Sequence, residues 1–158
     1  MMIEKNQRKT YQKQINEESA KNSSSQKDQG LQGNEKIEQA IGALQQEPTQ
    51  EMLAHTLTVI RRRMKERGQL ILAVEPPAGD GQIRIGTVKT GDEKVWWAAF
   101  TSFEEQSKGG QSVQSTFLTD ISQLFTLALQ VKEIEGIILN PWNCTIMLDK
   151  NLIQIIQG

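Results

Sequence analysis

The sequence contains few of the cysteine and histidine residues that commonly bind metals and cofactors. Among its 158 residues there is one cysteine, Cys144, and one histidine, His55. A single cysteine excludes an internal disulfide and any site with several thiolate ligands. His55 has no other ligands at a suitable spacing, so it does not indicate a metal site either. We therefore expect no cofactor and no metal.

The chain also lacks a strong charge of one sign and long apolar runs. Its formal net charge is -1 and its sequence pI is about 5.9, so no global basic field attracts nucleic acid. No apolar run approaches the roughly 20 residues that span a bilayer. The first residues, MMIEKNQRKTYQ, lack the apolar core of a signal peptide. We expect a cytoplasmic protein that binds neither a membrane nor nucleic acid.

No catalytic motif is present. Gly79-Asp80-Gly81 lacks the further glycines and the Lys-Ser/Thr ending of a phosphate-binding loop. His55 and Cys144 are the only residues from which a Cys-His nucleophile pair could be built, and nothing else in the sequence supports that pair. An enzymatic role stays open, but the sequence favours a protein that is not an enzyme, and no catalytic residue is assigned.

The composition divides the chain into two parts. Residues 1–33 are rich in Gln, Lys, Asn and Ser, with six Lys or Arg against four Asp or Glu. Such a segment buries too little apolar surface to offset the entropy of ordering it. We therefore predict a disordered polar tail over residues 1–33 and a folded domain over residues 34–158.

The folded part begins with a predicted helical hairpin. Apolar residues recur at helical spacing over residues 34–48, where Asn34 is a plausible amino-terminal cap. A second helix follows over residues 49–68, with Thr49 as its cap and Gly68 at its end. We expect the two helices to pack against a sheet.

The densest charge cluster lies near the end of this second helix. It consists of Arg61, Arg62, Arg63, Lys65 and Arg67. A phosphate or nucleic-acid patch is one interpretation. However, cations suit the carbonyl end of a helix, and the cluster has no interleaved aromatic residues for base stacking. We interpret it as a solvated helix end.

The rest of the domain alternates strand and helix signals. The run Val95–Phe100 and the run Gly136–Leu139 are the two strongest strand signals, and Asn140-Pro141 ends the second. Weaker strands are predicted at 70–74, 83–88, 113–117 and 144–148, and helices near 102–107, 120–128 and 153–158. The fold class is therefore α/β (α+β), a single small domain with a mixed sheet of about five or six strands packed with helices.

Polar and aromatic residues follow both strong strands. Phe100-Thr101-Ser102 closes one strand, and Asn140-Pro141-Trp142 closes the other. Thr101 or Ser102 fits a capping box with Glu104 or Glu105, which predicts a short helix directly after the first strand. Trp142 is either an exposed contact residue or part of the rim of the core. These six residues are the candidate binding site for a partner or a ligand.

Three stretches resemble a known family. They are Glu47-Pro48-Thr49-Gln50-Glu51, the junction Ala99-Phe100-Thr101-Ser102 with Glu104-Glu105 after it, and Ile138-Leu139-Asn140-Pro141. In this order they resemble the SseB-type (enhanced serine sensitivity) N-terminal domain, over roughly residues 34–158. The resemblance implies a cytoplasmic bacterial α/β domain without an established catalytic mechanism. Trp142 is bulkier than the residue that this pattern favours after Asn-Pro.

Two functions from different classes follow. The first is a non-enzymatic protein-interaction module, linked through the resemblance to a serine-sensitivity phenotype, with an unknown protein partner. The alternative is a domain or enzyme that binds a small anionic metabolite in the crevice at the strand ends, near Thr101, Ser102 and Asn140.

Overall fold

The computed structural model describes residues 29–75, 79, 84–109 and 115–158. The chain divides into two units, residues 1–32 and 33–158. In the first unit the described residues form a short 3-10 turn, Gln29–Leu31. Most of the predicted tail therefore lies outside the described residues, and its disorder stays a prediction.

The described part of the second unit contains five helices and six strands. The helices are α1 (Glu35–Gln46), α2 (Gln50–Lys65), α3 (Phe103–Ser107), α4 (Ile121–Gln130) and α5 (Lys150–Gln157). The strands are β1 (Gln69–Val74), β2 (Thr87–Lys89), β3 (Val95–Phe100), β4 (Ser115–Asp120), β5 (Gly136–Leu139) and β6 (Ile146–Asp149). The predicted α/β class is confirmed.

All six strands belong to one mixed sheet. The order is β4-β1-β3-β5-β6, and β2 pairs with the part of β3 that β1 does not reach. The pair β3–β5 is parallel, whereas the other pairs are antiparallel. All four residues of β5 are buried, as is typical of a short apolar run without alternation.

One face of the sheet packs against α1, α2, α4 and α5. Alternate residues of the strands, such as Leu70 and Leu72 of β1 and Ile137 and Leu139 of β5, form one apolar cluster with these helices. The same alternation places Ile138 on the opposite face, where it is also buried. None of the helices within the described ranges is long and apolar enough to cross a bilayer.

The helical hairpin is present, and one of its two predicted caps is formed. Thr49 caps α2 as predicted, since its hydroxyl accepts a hydrogen bond from the Met52 N–H at 3.1 Å. Asn34 occupies the N-cap position of α1, yet its side chain makes no capping bond and turns into the protein instead.

The carboxyl end of α2 also differs. The helix ends at Lys65, and Arg67, not Gly68, adopts the left-handed conformation with φ 67°. Glycine is required at position 68 for a different reason. The backbone of Arg63 lies so close that a Cβ atom on residue 68 would be 2.8 Å from the Arg63 carbonyl oxygen.

The basic cluster is only partly a solvated helix end. Arg62, Lys65 and Arg67 are exposed, as predicted. Arg61 instead donates to the carbonyl oxygens of Ile155 (2.6 Å) and Ile156 (2.9 Å) at the end of α5. Arg63 is buried. The interpretation of the cluster as solvated was therefore wrong for two of its five members, because long-range partners lie outside any local pattern.

Smaller differences concern strand ends. The strand predicted over residues 83–88 is the three-residue β2, and Ile85 before it makes only an isolated bridge to Val74. The strand predicted over residues 113–117 begins at Ser115 among the described residues and continues to Asp120. The last strand begins at Ile146, not at Cys144.

The packing of β5 against β6 predicts a sharp contrast between two glycine substitutions. In Gly136→Ala the new Cβ would lie 2.0 Å from the Leu148 carbonyl oxygen, so the two strands would have to separate. We expect a loss of at least about 3 kcal/mol in the free energy of unfolding, measured by urea denaturation.

Gly42→Ala is the matched control, because Gly42 lies within α1 and a Cβ there meets nothing within 4 Å. This change should stabilise the protein by about 0.5–1 kcal/mol, the usual gain for alanine over glycine in a helix. Equal unfolding midpoints for the two variants would contradict the observed β5–β6 packing.

Candidate functional site

The carboxyl ends of β3 and β5 lie side by side. The two strands run in parallel with Ala99 opposite Leu139, and the pairing extends one residue further because the Asn140 N–H donates to the Ala99 carbonyl at 2.8 Å. Parallel strands deliver the residues that follow them to the same edge of a sheet. Thr101 and Asn140 are therefore brought together, as the sequence predicts.

The Asn140 side chain ties the two strand ends together. Its Oδ1 atom accepts a hydrogen bond from the Thr101 N–H at 2.9 Å, and its Nδ2 donates to Thr101 Oγ1 at 3.0 Å. Asn140 reaches this position with a left-handed φ of 53°, a conformation that asparagine tolerates better than most residues. The contact thus satisfies a backbone donor that would otherwise be buried without a partner.

Thr101 extends this network to the helices. Its hydroxyl donates to a carboxylate oxygen of Glu38 on α1, and its carbonyl accepts from Asn34 Nδ2 at 3.0 Å. Asn34 Nδ2 also donates to the Gln69 carbonyl at 2.8 Å, at the start of β1. One asparagine therefore links the beginnings of α1 and β1 to the end of β3.

Arg63 completes the network from α2. Its Nε donates to Asn34 Oδ1 at 2.9 Å, and its Nη1 lies 2.9 Å from Glu66 Oε1. The guanidinium lies against Gly33 and Gly68. A Cβ atom would lie 3.2 Å from the nearest guanidinium atom at Gly33 and 2.7 Å from it at Gly68. A buried arginine needs such partners, because an uncompensated buried charge is strongly destabilising.

Burial separates the six predicted site residues into two groups. Phe100, Thr101 and Asn140 are 3%, 0% and 0% exposed, so none of these three side chains reaches the surface. Ser102 and Pro141 are half-buried, and Trp142 is exposed. Of the two interpretations of Trp142, the structure thus shows the exposed one.

Ser102 caps α3, as the capping-box spacing predicts. Its Oγ accepts a hydrogen bond from the Glu105 N–H at 3.2 Å. The reciprocal half of the box is not formed: Glu105 Oε2 instead accepts from Lys108 Nζ at 3.2 Å and from Asn143 Nδ2 at 3.1 Å. The other oxygen, Oε1, is buried without a hydrogen-bond partner among the described residues. The result is a buried carboxylate beside the strand ends.

This carboxylate affects Cys144, which is half-buried nearby. Burial raises the pKa of the Cys144 thiol, and the negative charges of Glu105 and Glu38 raise that pKa further, while Lys108 opposes them. A raised pKa favours the neutral thiol, which is a poor nucleophile. His55 is exposed on α2 and makes no hydrogen bond to Cys144 in the part of the chain that the structure describes.

Two large aromatic side chains are exposed where the chain leaves the strands. Phe103 is 44% exposed at the start of α3, and Trp142 is 45% exposed after β5. The Trp142 indole rests against Gly109, where an added Cβ would lie 2.5 Å from its Nε1. We call Ser102, Phe103, Pro141 and Trp142 the strand-end surface.

Sequence reasoning missed Asn34, Glu38, Arg63 and Glu105 as parts of this region. Asn34 was visible only as a helix cap, and Arg63 only as one member of a basic run. No group of three or more His, Cys, Asp or Glu side chains suited to a metal ion occurs within the described residues. The region therefore combines a buried polar network, in which Glu105 Oε1 alone has no partner among the described residues, with exposed aromatic side chains.

We compared the chain with protein-family models, with curated proteins and with solved structures, and none of them matches it.

Asn140 provides the first test of this geometry. Asn140→Ala leaves the buried Thr101 N–H without its acceptor and places alanine at a positive φ, so we expect a loss of about 2–4 kcal/mol in the free energy of unfolding. Asn140→Gly removes the same side chain without the backbone penalty and should lose about 1 kcal/mol less.

Asn151→Ala is the control for both variants, because Asn151 is exposed within α5; we expect a change within about 0.5 kcal/mol. Chemical denaturation of the three variants measures these differences. If Asn140→Ala unfolds at the wild-type denaturant concentration, the strand ends are not held by this side chain.

Cys144 provides a second test, since it is the only cysteine in the chain. Glu105→Gln removes a negative charge that raises the pKa of the thiol. The thiol pKa should fall, so more thiolate is present at a fixed pH near 8, below the ordinary thiol pKa of about 8.5. Alkylation by iodoacetamide should then be faster, as followed by mass spectrometry across a pH series.

Glu104→Gln is the matched control for this experiment. Glu104 is an exposed neighbour on the same helix, and it is not among the charges that act on Cys144. Its alkylation profile should overlay the wild-type profile. A Glu105→Gln profile that does the same would show that the Glu105 charge does not act on the thiol.

Proposed function

We propose that this chain is a non-enzymatic protein-interaction module whose contact surface is the strand-end surface. The observation that carries this proposal is the exposed indole of Trp142, two residues after the fully buried Asn140. Tryptophan combines a large apolar area with one hydrogen-bond donor, and it is enriched among residues that contribute most to binding at protein interfaces.

The rigidity of the underlying structure supports the same function. Asn140 is fixed by Thr101 through two hydrogen bonds, and Thr145 Oγ1 donates to the Asn140 carbonyl at 2.6 Å. The backbone that carries Trp142 is therefore ordered before any partner arrives. A preorganised contact residue loses less conformational entropy on binding than a mobile one.

The charges at this edge count against the alternative, an anionic metabolite. The carboxylates of Glu38 and Glu105 both lie close enough to raise the pKa of Cys144, and they would repel an anion. The Ser102 hydroxyl already accepts the Glu105 N–H. In addition, the favoured neutral state of the Cys144 thiol offers no activated nucleophile.

The family proposal follows the same lines. The motifs that resemble the SseB-type domain include Thr101-Ser102 and Asn140-Pro141. These motifs contain Thr101 and Asn140, which bond to each other at the ends of β3 and β5. A structural role for these motifs agrees with a domain that acts by binding and not by catalysis. We therefore propose a cytoplasmic bacterial module whose protein partner connects it to serine sensitivity.

The interaction is tested by removing the exposed ring. The wild-type chain captures its partner from a cell lysate, and the purified partner is then titrated by calorimetry. Trp142→Ala should weaken binding at least about 30-fold, as expected for a central interface residue that contributes 2 kcal/mol or more. Leu127→Ala is the matched control, because Leu127 on α4 is 49% exposed, and it should bind as the wild type does.

A second variant moves the ring without removing it. In Gly109→Ala the new methyl group would occupy the place of the indole, so Trp142 must shift. Binding should weaken in this variant too, with the free energy of unfolding little changed. If both Trp142→Ala and Gly109→Ala bind the partner with wild-type affinity, the strand-end surface is not the binding site.

A further inference from the structure

The outer side of the helical hairpin carries a groove that is separate from the strand-end surface. It has a volume of about 300 Å³ and is lined only by residues of α1, α2 and the turn directly after α2 within the described residues. This volume lies at the lower end of the range for small-ligand pockets, about 300–1,000 Å³. The groove is therefore of a suitable size for a small molecule.

The floor of the groove is apolar. Ala40 and Val59 are buried there, and Ala43 and Met52 are half-buried beside them. The two alanines let the helices approach each other while leaving room above them. Such a floor favours an aliphatic or aromatic part of a ligand.

The rim of the groove carries a net positive charge, because Lys36, Arg62 and Arg63 line it together with one acid, Glu66. Lys36 and Arg62 both line it and are exposed, and neither forms an ion pair within the described part of the chain. Arg63, by contrast, is paired with Glu66 at 2.9 Å. Two free cations beside an apolar floor complement a ligand that has one anionic end.

The hairpin also gives the groove a direction. Lys36 is in the first turn of α1 and Arg62 is in the last turn of α2, and antiparallel helices place these two ends together. Ala43 lies about 10 Å further along α1, at a rise of 1.5 Å per residue. The anionic end of a ligand therefore belongs beside Lys36 and Arg62, with its apolar part extending toward Ala43 and Met52.

We propose that this hairpin groove is a binding site for a small amphipathic carboxylate. The carboxylate accepts hydrogen bonds from Lys36 and Arg62, and a short aliphatic or aromatic chain covers Ala40, Ala43 and Val59. This site does not depend on the proposed protein interaction, because it uses none of the residues of the strand-end surface.

The probe is octanoate, with octanol as its neutral counterpart of the same chain length. Calorimetric titration of the full chain should show saturable binding of one octanoate per chain. Octanol should bind at least about fivefold more weakly, and Lys36→Gln and Arg62→Gln should each weaken octanoate binding by about two- to fivefold, as for an exposed ion pair.

Ala43→Leu fills the apolar end of the groove and should abolish octanoate binding. The matched controls are Ala54→Leu and Lys65→Gln, since both residues are exposed on α2 outside the groove, and these variants should bind octanoate as the wild type does. Circular dichroism melting shows that each variant is folded.

Three results would overturn the proposal. They are equal affinities for octanoate and octanol, unchanged octanoate binding in Ala43→Leu, and no saturable binding to the wild-type chain. A concentration-dependent dimer that Ala43→Leu dissociates, found together with no octanoate binding, would assign the groove to a second copy of the chain instead.

Discussion

The hydrogen bond from the Thr101 N–H to Asn140 Oδ1 is the constraint on which the strand-end region depends. Two parallel strands, β3 and β5, end at the same buried edge, where backbone donors can no longer pair with another strand. Each such donor left unpaired would cost about 1–3 kcal/mol. The Asn140 side chain supplies the missing acceptor, and the left-handed backbone at Asn140 places it there.

A second buried asparagine, Asn34, supplies hydrogen-bond partners to buried groups near the helices in the same way. Its amide donates to two backbone carbonyls, those of Gln69 and Thr101, and its carbonyl oxygen accepts from Arg63. Both N–H groups of the amide are thereby used, and they bond to residues that are 35 and 67 positions from Asn34 in the chain. Each of these side chains is a hydrogen-bond partner of another. Removal of one therefore leaves a buried polar group without a partner and without access to water, which makes the network cooperative.

Local chemistry explains which parts of this structure were predictable. The runs Val95–Phe100 and Gly136–Leu139 are strands because short apolar runs before turn residues suit a buried sheet. The caps at Thr49 and Ser102 follow from hydroxyls that reach the N–H three residues later. Each of these features depends on residues within one turn or one strand, so a short stretch of sequence is enough to predict it.

The remaining features depend on partners that are far apart in the chain. Arg63 is 29 residues from Asn34, and Thr101 is 39 residues from Asn140. Arg63 is buried because Gly33 and Gly68 leave room for its guanidinium, which no charge pattern within the helix reveals. The proximity of Thr101 and Asn140 was predictable only because parallel strands deliver both to one edge; their burial was not.

Burial of Thr101 and Asn140 changes what the strand-end region can do. Buried polar side chains that satisfy one another have no remaining capacity for a substrate, whereas an active site keeps polar groups that a substrate can reach. The exposed groups at this edge include two large aromatic side chains, those of Phe103 and Trp142. A buried network beneath an exposed indole supports the proposed interaction module, because binding a partner requires a contact residue held in a fixed position.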